Sequence, residues 1–259
     1  MNRLGLPILL VVALAAVVAA AWFALDRGLP RRPGALTTEE RTLPAFTRIR
    51  VDGTADVLLV QGAGPAVSVE APGRALPDVR TEVRDGTLMI ESAERRRWWS
   101  FIFGGGSRPP RIVVTFRNLE AISAAGTVNI RSEDLKLDRL AISAAGAASI
   151  KLAGFDAKAL VIDGSGAIKA DIAGRVAEQS ISMSGAGDYR AAGLASERAR
   201  IAVSGAGRVV VNATKSLDVE ISGAGTVDYL GNPEVTKKVS GAGRVRRREA
   251  AQEPDHALA

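Results

Sequence analysis

The sequence predicts an all-β chain wound as a right-handed parallel β-helix, or β-solenoid, behind an N-terminal signal or transmembrane helix. Three observations carry that expectation. A short glycine-centred phrase recurs at steps close to 20 residues, apolar residues alternate within each phrase, and residues 4–25 form one long uncharged run.

The uncharged run LGLPILLVVALAAVVAAAWFAL spans residues 4–25, with Arg3 before it and Asp26-Arg27 after it. As a helix it would reach about 33 Å, enough to cross a bilayer core. Its length suits a retained signal-anchor, and Ala19-Ala20-Ala21 offers a signal-peptidase site for the alternative, a cleaved signal. Trp22 and Phe23 stand where interfacial aromatics anchor a retained helix. On either reading the rest of the chain is exported. It is then either membrane-anchored, facing the periplasm or cell exterior, or secreted. Residues 1–26 are therefore the expected signal segment, and residues 27–44, rich in Pro, Gly and Arg, the linker.

The phrase first occurs as IRVDGTADVLL at residues 49–59, with Gly53 and Ala55 in its two small positions. Residues 60–118 then break the period. Within them VRTEVRDGTLMIES predicts a hairpin turning at Asp85-Gly86, and RIVVTF restores strand character before the repeats resume. From residue 119 onward come LEAISAAGTVNI, RLAISAAGAASI, LVIDGSGAIKA, ISMSGAGDYRA, IAVSGAGRVVV, VEISGAGTVDY and KKVSGAGRVRR. Aligned on their last glycines (Gly126, Gly146, Gly166, Gly187, Gly207, Gly225 and Gly243), they step by 20, 20, 21, 20, 18 and 18 residues. Alternation means strand, and the period is too short for a strand-helix-strand unit, so each phrase is expected to be one coil. On this alignment Ile122, Ile142, Ile162, Met183, Val203, Ile221 and Val239 form an aliphatic ladder. Ser123, Ser143, Asp163, Ser184, Ser204, Ser222 and Ser240 form a polar one, whose expected role is to satisfy backbone groups near the corner. The insert is expected at the N-terminal end of the stack, where an open edge needs covering. Residues 248–259 have no apolar period and are expected to be disordered.

Composition removes several functions. The chain has 259 residues with 47% hydrophobic content but only 4% aromatics, so its core must be aliphatic. There is no cysteine, and the single histidine, His256, lies in the C-terminal tail, which excludes thiolate zinc sites, histidine triads and multi-histidine metal centres. The net charge of +6 comes from the ends: residues 1–32 and 237–259 each carry +3, and 24 basic residues balance 24 acidic ones between them. A nucleic-acid groove needs concentrated positive potential on the folded body, so no nucleic-acid partner is expected.

The repeated SGAG phrases, the DGTL hairpin and the ending VDYLGNPEVTKKVSGAGRVRR resemble the auto-transporter adhesin head GIN domain family over residues 45–247. The resemblance implies a β-helix exported to the envelope or cell surface, with no catalytic residues, cofactor or metal to carry over. The expected function is a non-enzymatic structural or adhesive module with a surface or glycan ligand. Further expected partners are the membrane, through residues 4–25, and a second copy of the chain, through the ends of the stack. The alternative is a carbohydrate-active β-helix lyase or hydrolase. Its catalytic acids would come from Asp156, Asp163, Asp171, Asp188, Asp218 and Asp228, which fall at different offsets in the repeat and mark no cluster. The candidate binding residues are Arg95, Arg96, Arg97, Trp98, Trp99, Phe101 and Phe103. Arginine and tryptophan dominate binding hot spots, and the same mixture suits a lipid headgroup surface. The other role, which the rarity of exposed aromatic clusters favours, is an end cap in which Trp98, Trp99, Phe101 and Phe103 cover the first coil and the arginines stay solvated.

Overall fold

The computed structural model describes residues 36–72, 76–92 and 109–248. The expected signal helix, the first half of the linker, the candidate loop residues and the tail beyond Arg248 lie outside the described residues; the second half of the expected linker is a strand, Leu36–Thr42, and not an irregular connection. Among the described residues no helix is long and apolar enough to cross a membrane.

The described chain is all-β, with a single 3-10 turn at Leu76–Asp78. Its strands are β1 (Leu36–Thr42), β2 (Arg48–Gln61), β3 (Ala66–Pro72), β4 (Val79–Arg84), β5 (Thr87–Ser92), β6 (Arg111–Phe116), β7 (Ala121–Ser132), β8 (Leu135–Gly223), β9 (Thr226–Leu230), β10 (Glu234–Gly241) and β11 (Arg244–Arg247). The central pairings are parallel and keep the phrases in register. Gly53 of β2 lies opposite Gly126 of β7, which lies opposite Gly146 of β8, and Ile49, Ile122 and Ile142 align in the same way. At the other end Gly223 lies opposite Gly241, and Thr226 of β9 is flanked by Arg208 and Arg244. Each phrase therefore forms one level of a ladder whose steps are 20 residues early and 18 late.

In each phrase one glycine turns the strand through a positive φ, between +101° at Gly146 and +132° at Gly205. These corner glycines touch backbone to backbone. A Cβ on Gly166 would lie 2.3 Å from the Gly146 carbonyl oxygen, and one on Gly185 would lie 2.6 Å from that of Gly166. No side chain fits there, so glycine is required both for conformation and for space.

The corner column corrects the alignment read from the sequence. It runs Gly126, Gly146, Gly166 and then Gly185, Gly205, Gly223 and Gly241, whereas Gly187, Gly207, Gly225 and Gly243 have ordinary φ. The last glycine of the phrase is thus the corner in the first levels, and the first glycine is the corner in the later ones. The polar ladder holds from Ser123 to Ser143 and from Ser222 to Ser240, but it is offset by two positions between Asp163 and Ser184. Bulk explains the change of phase. Two residues before the corner stand Ala124, Ala144 and Gly164 early, then Met183, Val203, Ile221 and Val239; two residues after it stand Val128, Ala148 and Ile168 early, then four glycines. Except at Gly146, where Ala144 and Ala148 flank the corner and pack with Ile168 of the next level, a larger inward side chain on one side of the corner is matched by a small residue on the other.

The core is aliphatic, as the composition requires, and includes Ile122, Ile142, Ile162, Ile181, Ile201 and Val219 in one inward column. One polar network interrupts it. The Tyr189 hydroxyl donates to Gln179 Oε1 at 2.9 Å, Gln179 Nε2 donates to Ser196 Oγ at 2.8 Å, and that hydroxyl donates to the Asn212 carbonyl at 2.6 Å. All three side chains are buried, and each finds a partner, as buried polar groups must.

Both ends of the ladder are defended. Below β2, the first half of the level is β5 and the second half β6, both parallel to it; antiparallel β4 flanks β5, and antiparallel β3 and then β1 flank β6. The predicted hairpin is β4–β5, with Asp85 (φ 49°) and Gly86 (φ 70°) at the left-handed positions of a two-residue turn. At the other end Lys237 takes the inward place opposite Val219, and Val239 beside it is 41% exposed. A charge in a core position discourages a further strand from adding to an open edge.

Candidate functional site

The candidate loop residues Arg95, Arg96, Arg97, Trp98, Trp99, Phe101 and Phe103 lie outside the described residues, but both points where the chain leaves and rejoins the ladder are described. β5 ends at Ser92 beside the Gly53 corner, where a Cβ on Gly53 would lie 2.3 Å from the Ser92 carbonyl oxygen. The chain rejoins where the Asp56 amide donates to the Pro110 carbonyl at 2.9 Å. In the register of β2, with Asp52 opposite Glu91 and Asp56 opposite Arg111, the insertion replaces one corner.

Elsewhere the exposed surface divides by position in the level. On the turn side, between one phrase and the next, cations and carboxylates pair across levels: Asp138 with Lys158 at 2.6 Å, Asp156 with Arg175 at 2.8 Å, Glu178 with Arg198, and Glu197 with Lys215 at 2.7 Å. Hydrogen bonds from Lys158 and Lys215 hold the Asp138 and Glu197 carboxyls below the usual carboxylate range. These pairs are exposed and add little stability, but they favour the correct register. A shallow groove of about 330 Å³ runs along the side preceding the corner, lined by Arg139, Glu178, Arg198, Arg200 and Asp218.

The side that follows the corner differs. Three and five residues after each corner glycine come Asn129 and Arg131, Ser149 and Lys151, Lys169 and Asp171, Asp188 and Arg190, Arg208 and Val210. Arg131 and Lys151 are direct register partners, both exposed. Asp188 pairs with Arg190 through Oδ2 at 2.6 Å, while its Oδ1 is buried without a hydrogen-bond partner. Charge counted along the chain hides this side, because the balancing carboxylates lie on the other faces. Counting positions from each corner would have found it.

General acid-base chemistry on sugars needs a carboxyl held protonated. Among the described residues, hydrogen bonds from a neighbouring Arg or Lys hold the Glu39, Glu82, Asp138 and Glu197 carboxyls below the usual carboxylate range. Among the described residues no group of three or more His, Cys, Asp or Glu could hold a metal ion. Burial raises the Tyr189 phenol, which has no access to solvent.

The described residues thus form a repeat-built all-β domain with in-register parallel levels and exposed sides. This chain belongs to the family described as "Putative auto-transporter adhesin, head GIN domain", whose pattern matches residues 45–233. Among solved structures it is similar to a "putative adhesin" from Bacteroides fragilis, at 19% identity and a TM-score of 0.74, covering 83% of this chain and 99% of that one. A "putative adhesin" from Parabacteroides distasonis matches at 22% identity and a TM-score of 0.58, covering 83% and 98%. A "putative lipid binding protein" from the same organism matches at 22% identity and a TM-score of 0.57, covering 83% and 97%. These likenesses concern the fold. No curated protein sequence matches the chain.

Proposed function

We propose that this protein is an exported, non-enzymatic adhesive module of the cell envelope. Its levels wind as a right-handed parallel β-helix that residues 4–25 hold at a membrane. The observation that carries the reading is the family membership of residues 45–233, joined to a ladder that repeats the same surface positions at every level. The mechanism is geometric: a rigid side presents exposed side chains at about 4.8 Å intervals, so that many weak contacts add. The RRRWWSFIF loop is a contact loop rather than a cap, a role supported by the strands β1, β3 and β4 that already cover the N-terminal edge.

The test joins location to activity. Fractionated cells should yield full-length protein in the membrane, by intact mass. The purified protein, incubated with calcium and a panel of polysaccharides, should bind reversibly and release no product. Measurable chain cleavage, or a cytoplasmic full-length protein, would overturn the proposal.

A further inference from the structure

We infer that the side following the corner is a binding face for an acidic polysaccharide, an inference that rests on the adhesive reading above. Across the levels from Gly126 to Gly241, the third and fifth positions after the corner hold seven cations, all exposed or half-buried, against three carboxylates, of which Asp228 is buried. The cations are Arg131, Lys151, Lys169, Arg190, Arg208, Arg244 and Arg246, and the carboxylates are Asp171, Asp188 and Asp228. Arg190 and Arg246 have carboxylate partners on this face, whereas Arg131, Lys151, Lys169, Arg208 and Arg244 pair with none among the described residues. The turn side shows the contrast, since cross-level ion pairs there neutralise Lys158, Arg175, Arg198 and Lys215.

Two features go beyond an excess of charge. Arg131 and Lys151 stand directly opposite one another on adjacent strands. Like charges so placed destabilise a sheet, and the stack resolves the same problem elsewhere by alternating sign. The second feature is spacing: from Arg131 to Arg208 the face covers four steps, about 19 Å, with one cation at every level, Arg131, Lys151 and Arg190 in one column and Lys169 and Arg208 in the other. A ligand that suits both must bring anionic groups in a line along the levels. An acidic polysaccharide carries them on one extended chain, whereas a lipid phosphate surface spreads them over a plane. An extended chain of charged sugars can follow it.

The experiment uses the full-length protein in detergent, alginate as the acidic probe, dextran as the neutral one, and phosphatidylglycerol vesicles as the lipid arm. Alginate should bind with an affinity that falls steeply as salt rises. Lys151→Glu/Lys169→Glu should weaken it about tenfold or more, while Lys158→Glu/Lys215→Glu, with the same charge change on the turn side, should leave it unchanged. All four positions are exposed, and Lys151→Glu relieves the repulsion at Arg131, so the melting temperature of that variant should hold; the turn-side variant sets like charges against Asp138 and Glu197 and should melt slightly lower while still binding alginate. Equal losses in the two variants, dextran binding as tightly as alginate, or vesicles outcompeting alginate would each overturn this inference. Binding to dextran alone would sink it while sparing the adhesive reading; no glycan binding at all, with product release, would sink both.

Discussion

The change of phase along the corner column makes an unusual demand of two glycines that look alike in the sequence. Gly185 and Gly187 flank Ala186 in one phrase, and each is replaced in turn by alanine. At Gly185 the φ is +117° and the added Cβ would meet the Gly166 carbonyl oxygen at 2.6 Å, with its amide nitrogen at 3.2 Å. The left-handed conformation costs an L-residue about 1–2 kcal/mol. The clash falls on ladder backbone, which cannot move alone, and overpacking of that kind adds about 1–3 kcal/mol. At Gly187 the φ is ordinary and the new Cβ would meet the Met183 sulfur at 2.6 Å, the far end of a flexible chain. Methionine repacks, so the net cost is about 1 kcal/mol or less. Gly185→Ala should therefore lose about 3 kcal/mol, lowering the melting temperature by about 6–12 °C, against a few degrees for Gly187→Ala. Urea unfolding and thermal melts followed by circular dichroism measure both. If Gly187→Ala is equally or more damaging, the corner assignment is wrong and the simple alignment on the last glycine is restored.

Three further outcomes are expected. Tyr189→Phe orphans the buried Gln179 Oε1 and should cost about 1–3 kcal/mol in urea unfolding. Because burial raises the Tyr189 pKa, the unfolded state releases its proton first, so native stability should fall once the pH rises above about 10, and the Phe variant should lack that slope. Lys237→Ile completes the inward column at the open edge opposite Val219, and should make the sedimenting size rise more steeply with concentration than in the unsubstituted protein, read by analytical ultracentrifugation. Trp98→Ala/Trp99→Ala should reduce ligand or membrane binding without lowering the melting temperature; a large loss of stability would return the loop to a capping role.

Much of the ladder was legible in the sequence because alternation and a near-constant period are properties of a single chain. The hairpin at Asp85-Gly86 was equally plain, since the turn needs its own residue types. Which glycine of a phrase makes the corner was not legible. SAAG, SGSG and SGAG are near-synonyms as strings, and only the exchange of bulk between Ala124 or Gly164 and Met183 or Val203 reveals which glycine turns. The side bearing Arg131, Lys151 and Lys169 was hidden for a related reason. Its charge is local to one face, and totals taken along the chain average over all faces.

The insertion between Ser92 and Pro109 has a consequence for what such a chain can carry. Its two ends are held by the ladder at neighbouring points, so the loop is already closed before any of its residues are chosen. Doubling its length would cost only about 0.6 kcal/mol in closure entropy. No ladder hydrogen bond of β5 or β6 depends on what lies between them. A corner of this kind is a socket: the scaffold stays constant, and whatever chemistry the protein shows at that point can be exchanged without renegotiating the fold.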